Sequence, residues 1–116
     1  MKIKFLKSKI HRALVTDANL DYEGSITIDE KLMTAAKLNE HEKVHVLNLS
    51  NGQRVETYVI KAAAGSREIC INGAAAHLMR PYDRVIILSY CLIDKNSIPE
   101  HHPTIIKVNN KNEIIE

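Results

Sequence analysis

The sequence predicts a mainly β protein, a small closed barrel carrying two brief helices. Isoleucine and valine together number 22 of the 116 residues, against three prolines and four glycines, so side chains suited to a pleated surface are joined by few, tight turns. The apolar residues also fall in six or more short runs bounded by turn signals, as strands wrapping one core do.

Ile3–Leu6 and Ile10–Val15 read as the first strands, and Ile26–Ile28 follows the break at Glu23-Gly24-Ser25. Asp29 is placed to cap a helix over Glu30–Leu38, where Leu32, Ala35 and Ala36 recur at helical spacing. Lys43–Leu49 and Gln53–Ile60 are β-branched runs joined through Ser50-Asn51-Gly52, a hairpin signal because Asn-Gly tolerates positive φ. Ala62–Ser66 is a connector, Arg67–Ile71 a strand, Asn72-Gly73 a turn, and Ala74–Met79 one or two helical turns stopped by Pro81. Val85–Ile93 is apolar on both faces, as a central strand is, and Thr104–Val108 is the last strand before a polar tail.

A chain of 116 residues is one domain and buries roughly two thirds of its unfolded surface, enough for a core without staples. Cys70 and Cys91 sit in apolar runs and read as core, since their spacing fits neither a zinc site nor a disulfide framework. The net charge of +2 is too small to argue for nucleic acid. No run reaches the length of a membrane span and no export signal is visible, so a cytoplasmic location is expected.

Several local patterns can be weighed for chemistry. His41-Glu42-Lys43-Val44-His45 has the spacing of a zinc motif that requires a helix, but its second half leads into a strand, where the histidines stand about 13 Å apart. No metal is expected there or at His101-His102. Gly24-Ser25 taken alone is a turn, and no phosphate-cradling glycine loop can be built around Gly65 or Gly73. Arg54 and Tyr58 share one face of a strand and Thr57 points to the other, which also describes an ordinary half-exposed strand. Asn72-Gly73-Ala74-Ala75-Ala76 leaves backbone amides open to close approach, and equally fits a turn opening a short alanine helix.

Taken together and in order, Ser8–Ala13, Val15-Thr16, Leu20, Tyr22–Asp29, Asn51-Gly52, Arg54, Thr57-Tyr58, Gly65–Arg67 and Asn72–His77 resemble the bacterial aspartate 1-decarboxylases over nearly the whole chain. Arg80-Pro81-Tyr82-Asp83 departs from the pattern, where a glycine is expected between Pro and Asp, and the chain after Asp94 matches weakly.

The resemblance implies a double-psi β-barrel, a homotetramer and a covalent pyruvoyl group made from Ser25. The Ser25 hydroxyl attacks the Gly24 carbonyl, and the chain separates into residues 1–24 and 25–116. Gly24 would remove a Cβ that blocks attack and permit a strained backbone, while Thr57 would stabilise the developing oxyanion. The ketone at residue 25 would then act as electron sink for decarboxylation of L-aspartate to β-alanine, which feeds pantothenate and coenzyme A synthesis. Tyr58 is the implied proton donor. Lys9 and Arg54 supply positive charge for a dicarboxylic substrate, and Thr57, Gly73, Ala74 and Ala75 match the substrate-binding set. Whether maturation is spontaneous or uses an accessory protein stays open. The alternative is a small β-barrel that binds nucleic acid through Lys2–Arg12, without catalysis or cleavage.

Overall fold

A computed structural model describes all 116 residues as eight strands, one α-helix and two short 3-10 helices. The strands are β1 (Lys2–Leu14), β2 (Asp17–Asn19), β3 (Ser25–Asp29), β4 (Lys43–Asn48), β5 (Arg54–Ala62), β6 (Ile69–Asn72), β7 (Arg84–Asp94) and β8 (Thr104–Lys107). They form one mixed sheet in the order β2-β6-β3-β5-β4-β7-β1-β8. Three pairs are parallel, β1 with β8, β2 with β6 and β3 with β5, and the other four are antiparallel. Ile71 of β6 and Ile106 of β8 belong to the same core of 19 buried residues although five strands separate them in the sheet order. A flat sheet could not bring them together, so the strands wrap around that core.

The mainly β expectation therefore holds, and its differences from the sequence reading have local causes. The two expected opening strands are one, β1, with register shifts between Leu6 and Ser8 and between Ile10 and Ala13. Arg12 takes a φ of +67° at the second shift, and bulges of this kind add the twist that curls a sheet. The helix α1 (Glu30–Ala36) ends two residues early because Lys37 enters the left-handed region and closes the last turn, with Leu38 N–H donating to Met33 O. Asp29 caps it as expected, accepting from Lys31 N–H, and also accepts from the N–H groups of Gly65 and Arg67, which ties the β5–β6 connection to the helix start.

The β4–β5 hairpin is present, but only Gly52 of the Asn-Gly pair takes positive φ. Its N–H donates to Asn48 O, giving a wider loop than a two-residue turn. The strand β2, the 3-10 helix Lys95–Glu100 and the packed C-terminus were not expected. Asn112, in the polar tail, is 3% exposed, and its side chain bonds the Leu14 backbone N–H and O and Arg67 O.

Cys70 is buried as expected, whereas Cys91 is only half-buried. The cause is topological: β4 pairs with β7 no further along than Leu88, so beyond Ser89 β7 has only β1 beside it. The residues there are uncovered, and Leu92 is 62% exposed.

Candidate active site

The strand β3 opens at Ser25 and lies between two neighbours that bring distant sequence to it. On one side it runs antiparallel to β6, with Ser25 opposite Asn72. On the other it runs parallel to β5, with Ile26 opposite Val59, so that Gly24-Ser25 and Thr57-Tyr58 directly precede the first paired residues of the two strands. Gly24-Ser25 thus lies at the same end of the sheet as Thr57-Tyr58 and Asn72-Gly73, segments that are distant from it in the chain.

Ser25 is 1% exposed. Its hydroxyl donates to Glu23 O at 2.9 Å and accepts from the Asn72 side-chain amide at 3.0 Å. The other N–H of that amide reaches Thr27 Oγ1 at 2.9 Å, and the amide oxygen accepts from the Cys70 thiol at 3.2 Å. Burial, then the charges of Asp17 and Glu68, push the thiol up to about 11.

Gly73 follows with a φ of +76°, and a Cβ there would fall 2.6 Å from Gly24 Cα and 2.8 Å from Gly24 N. Nothing lies within 4 Å of a Cβ built on Gly24, and its φ is outside the left-handed region. The steric need for glycine at this contact accordingly falls on Gly73. Gly73 opens the 3-10 helix Gly73–His77, whose first N–H groups have no partner within the helix, with Ala74 exposed and Ala75 packed against the core.

Thr57 and Tyr58 are half-buried on β5, and the Tyr58 ring lies 6.2 Å from that of His41. Arg54 lies at the far end of the same strand, four residues or about 13 Å from Tyr58. It is exposed, within 3.4 Å of His45 Nδ1, in a groove shared with Lys4, Lys43, His45, Glu56 and Tyr90. Lys9 is half-buried on β1 opposite Leu88, and the sheet order places β5, β4 and β7 between β3 and β1. One chain therefore brings Gly24, Ser25, Asn72 and Gly73 together, with Thr57 and Tyr58 toward the same end of the neighbouring strand β5, but leaves Lys9 and Arg54 on other strands or strand ends. His45 lies on β4 with Glu56 at 3.0 Å, so the His41–His45 motif does not sit on a helix.

A residue that sequence reasoning passed over is Asn72. It stood in the matched run without a role, and no local signal marks it, because its partners come from β3 and from within β6.

The family of this arrangement is settled by comparison. The profile described as aspartate decarboxylase matches residues 1–115. This chain belongs to the aspartate decarboxylase family. A protein of Caldicellulosiruptor saccharolyticus named aspartate 1-decarboxylase is 56% identical over 116 residues, covering 100% of this chain and 91% of its own length. Bearers of the same name from Wolinella succinogenes and Acetivibrio thermocellus are 52% and 56% identical, covering 100% and 99% of this chain and 96% and 91% of their own lengths. The crystal structure of the computationally designed msDPBB_sym2 protein gives a TM-score of 0.47 at 16% identity, covering 77% of this chain and 99% of that one. No helix of this aspartate decarboxylase family member is long and apolar enough to cross a membrane.

Proposed function

We propose that the chain is an aspartate 1-decarboxylase that cleaves itself between Gly24 and Ser25 and then converts L-aspartate to β-alanine and CO2. The observation that carries the reading is a buried serine hydroxyl held by Glu23 O and the Asn72 amide beside the Gly24–Gly73 contact, in a chain whose named relatives share half or more of its residues. The residues present fit a pyruvoyl group formed in place. Ser25 is shielded from water, its hydroxyl is held by two partners, and Gly73 lets the chain pack directly on Gly24.

In this reading the Ser25 hydroxyl attacks the Gly24 carbonyl, and Thr57, on the strand that pairs with β3, donates to the oxyanion. A pyruvoyl ketone at residue 25 supplies an electron-withdrawing carbonyl that takes up the electrons freed when CO2 departs. Tyr58, which follows Thr57 on β5, returns a proton to the carbon that lost the carboxylate. The amides of Gly73, Ala74 and Ala75 and the cations Lys9 and Arg54 bind the dicarboxylic substrate, with Arg54 able to meet a carboxylate through two parallel hydrogen bonds. Because one chain keeps Arg54 about 13 Å along β5 from Tyr58, the homotetramer expected of the family has a reason: a second copy can present the cation that the first holds away. The product would supply pantothenate and coenzyme A synthesis in the cytoplasm. The alternative of a nucleic-acid-binding module gives the Ser25, Thr57-Tyr58 and Asn72–Ala76 arrangement no task.

The test is the intact mass of the denatured protein. Two pieces, residues 1–24 and residues 25–116 with pyruvoyl in place of serine, support the reading. Complete cleavage without additions indicates spontaneous maturation, and partial cleavage completed by a cell extract indicates an accessory protein. A Ser25→Ala chain that still forms β-alanine would overturn the pyruvoyl assignment.

A further inference from the structure

The Asn72 amide bridges the buried region behind Ser25, and its sense decides what it does there. An asparagine side chain has nearly the same shape with its oxygen and nitrogen exchanged, so its orientation is set by its partners. Here one N–H points to Ser25 Oγ at 3.0 Å, the other to Thr27 Oγ1 at 2.9 Å, and the oxygen accepts from Cys70 Sγ at 3.2 Å. The Thr27 hydroxyl can donate or accept and tolerates the exchanged amide, whereas the Ser25 hydroxyl could meet an exchanged oxygen only by giving up its bond to Glu23 O. The thiol discriminates less ambiguously. Burial keeps it protonated, so it has an S–H to give the amide oxygen, while its sulfur is only a weak acceptor for an amide N–H.

We infer that Cys70 is a positioning residue for chain cleavage: its S–H fixes the Asn72 amide so that an N–H, and not the carbonyl oxygen, bears on Ser25 Oγ. The inference rests on the self-processing reading above. Its chemical consequence follows that oxygen through the reaction. The bond from Ser25 Oγ to the Gly24 carbonyl carbon forms as the Gly24–Ser25 C–N bond breaks and the amine takes up the hydroxyl proton. The Ser25 Cα proton is then lost as the Cβ–Oγ bond breaks, and Oγ leaves with its electron pair as part of the Gly24 carboxylate. Water releases the residue 25 nitrogen as ammonia and leaves the ketone. An N–H on Oγ favours it when it attacks as a partial alkoxide and again when it leaves as a carboxylate oxygen. An exchanged amide would hold a carbonyl oxygen against both charges.

Cleavage of freshly made precursor, followed by intact mass against time, reads this directly. Cys70→Ser keeps a donor and should cleave within about threefold of wild type, while Cys70→Ala removes it at small cost in volume and should cleave about tenfold more slowly, the loss expected for one weakened hydrogen bond. Cys70→Val, a β-branched side chain suited to the strand and lacking a donor, should slow cleavage similarly, which keeps the test open should Cys70→Ala fail to fold. Thermal melting of each change in a Ser25→Ala background reports folding separately. Cys70→Ala cleaving at the wild-type rate, or Cys70→Ser as slow as Cys70→Ala, overturns the inference while wild type still cleaves. A wild type that never cleaves overturns the self-processing reading as well.

Discussion

Ser25 and Arg54 lie on adjacent strands of one sheet yet sit in opposite surroundings. Ser25 and Asn72 are 1% and 3% exposed and find their side-chain partners within the chain. Arg54 is exposed, and its guanidinium meets only His45, at 3.4 Å. A buried, satisfied polar network is held in one geometry and strengthened by the low local dielectric. An exposed cation keeps its donors for whatever arrives. The first arrangement suits a reaction of the chain with its own backbone, the second the capture of a diffusing dianion, and the distance between them means that the two tasks can be damaged separately.

Gly73→Ala tests the closed region most severely. Its Cβ would fall 2.6 Å from Gly24 Cα on a φ of +76°, and left-handed strain plus crowding should remove about 2–4 kcal/mol of stability, read as a lower urea midpoint in a Ser25→Ala background, with slower cleavage in the wild-type background. Unchanged stability and cleavage would mean that the Gly73–Gly24 contact does not hold the site, and the comparison would break. Arg54→Lys keeps the charge and loses the fork. The expected result is about a tenfold rise in KM for aspartate with an unchanged rate of chain cleavage; slowed cleavage would join the two regions.

Tyr82→Gly calibrates the first experiment. Tyr82 takes a φ of +75° and is 83% exposed, so the change removes backbone strain and little packing. Stability should rise by about 1 kcal/mol, and subtracting that from the Gly73→Ala loss leaves the cost of crowding. A drop in stability would show the tyrosine making contacts that offset its backbone.

Glu42→Gln should have the smallest effect. Glu42 stands at the entry to β4, and its backbone O accepts from Val59 N–H, next to Tyr58. Burial pushes its carboxyl up, but the Lys7 ammonium at 2.8 Å and the Asn39 N–H and amide outweigh this and hold it below the ordinary value of 4.5. A lowered folded-state value contributes stability that is present above 4.5 and lost as pH falls through the folded value. Glu42→Gln should therefore cost about 0.5–1 kcal/mol at neutral pH, and its melting curve should converge on wild type in acid. A gap that persists in acid would assign the loss to packing.

What was legible in the sequence was local. The Asp29 cap, the β4–β5 hairpin and the short strand after Gly24 each announce themselves within a few residues, because caps and turns are made by neighbours in the chain. The continuity of β1 was hidden by its bulges, where the inward and outward alternation slips. β2 is three residues long, and Asn112 acquires meaning only against Leu14 and Arg67. The candidate site divides likewise. Gly24-Ser25 and Thr57-Tyr58 stood out through resemblance, and that they lie at one end of neighbouring strands follows from the parallel pairing of β3 with β5, which no periodicity displays. The glycine at Pro81-Tyr82-Asp83 that the family pattern calls for has its physical counterpart in the positive φ at Tyr82.

β1 lies between β7 and β8 and places Ile10 and Ala13 in the core, and all of it precedes residue 24. A break after Gly24 leaves those contacts intact, so the two pieces stay together as long as the protein is folded. Unfolding then changes in molecularity. The uncut chain keeps both segments in one molecule, whereas a cut one must first find its lost piece in solution, and its melting temperature will fall more steeply on dilution than that of the Ser25→Ala chain. Cleavage there would add a further dependence on concentration to the protein's recovery after heating.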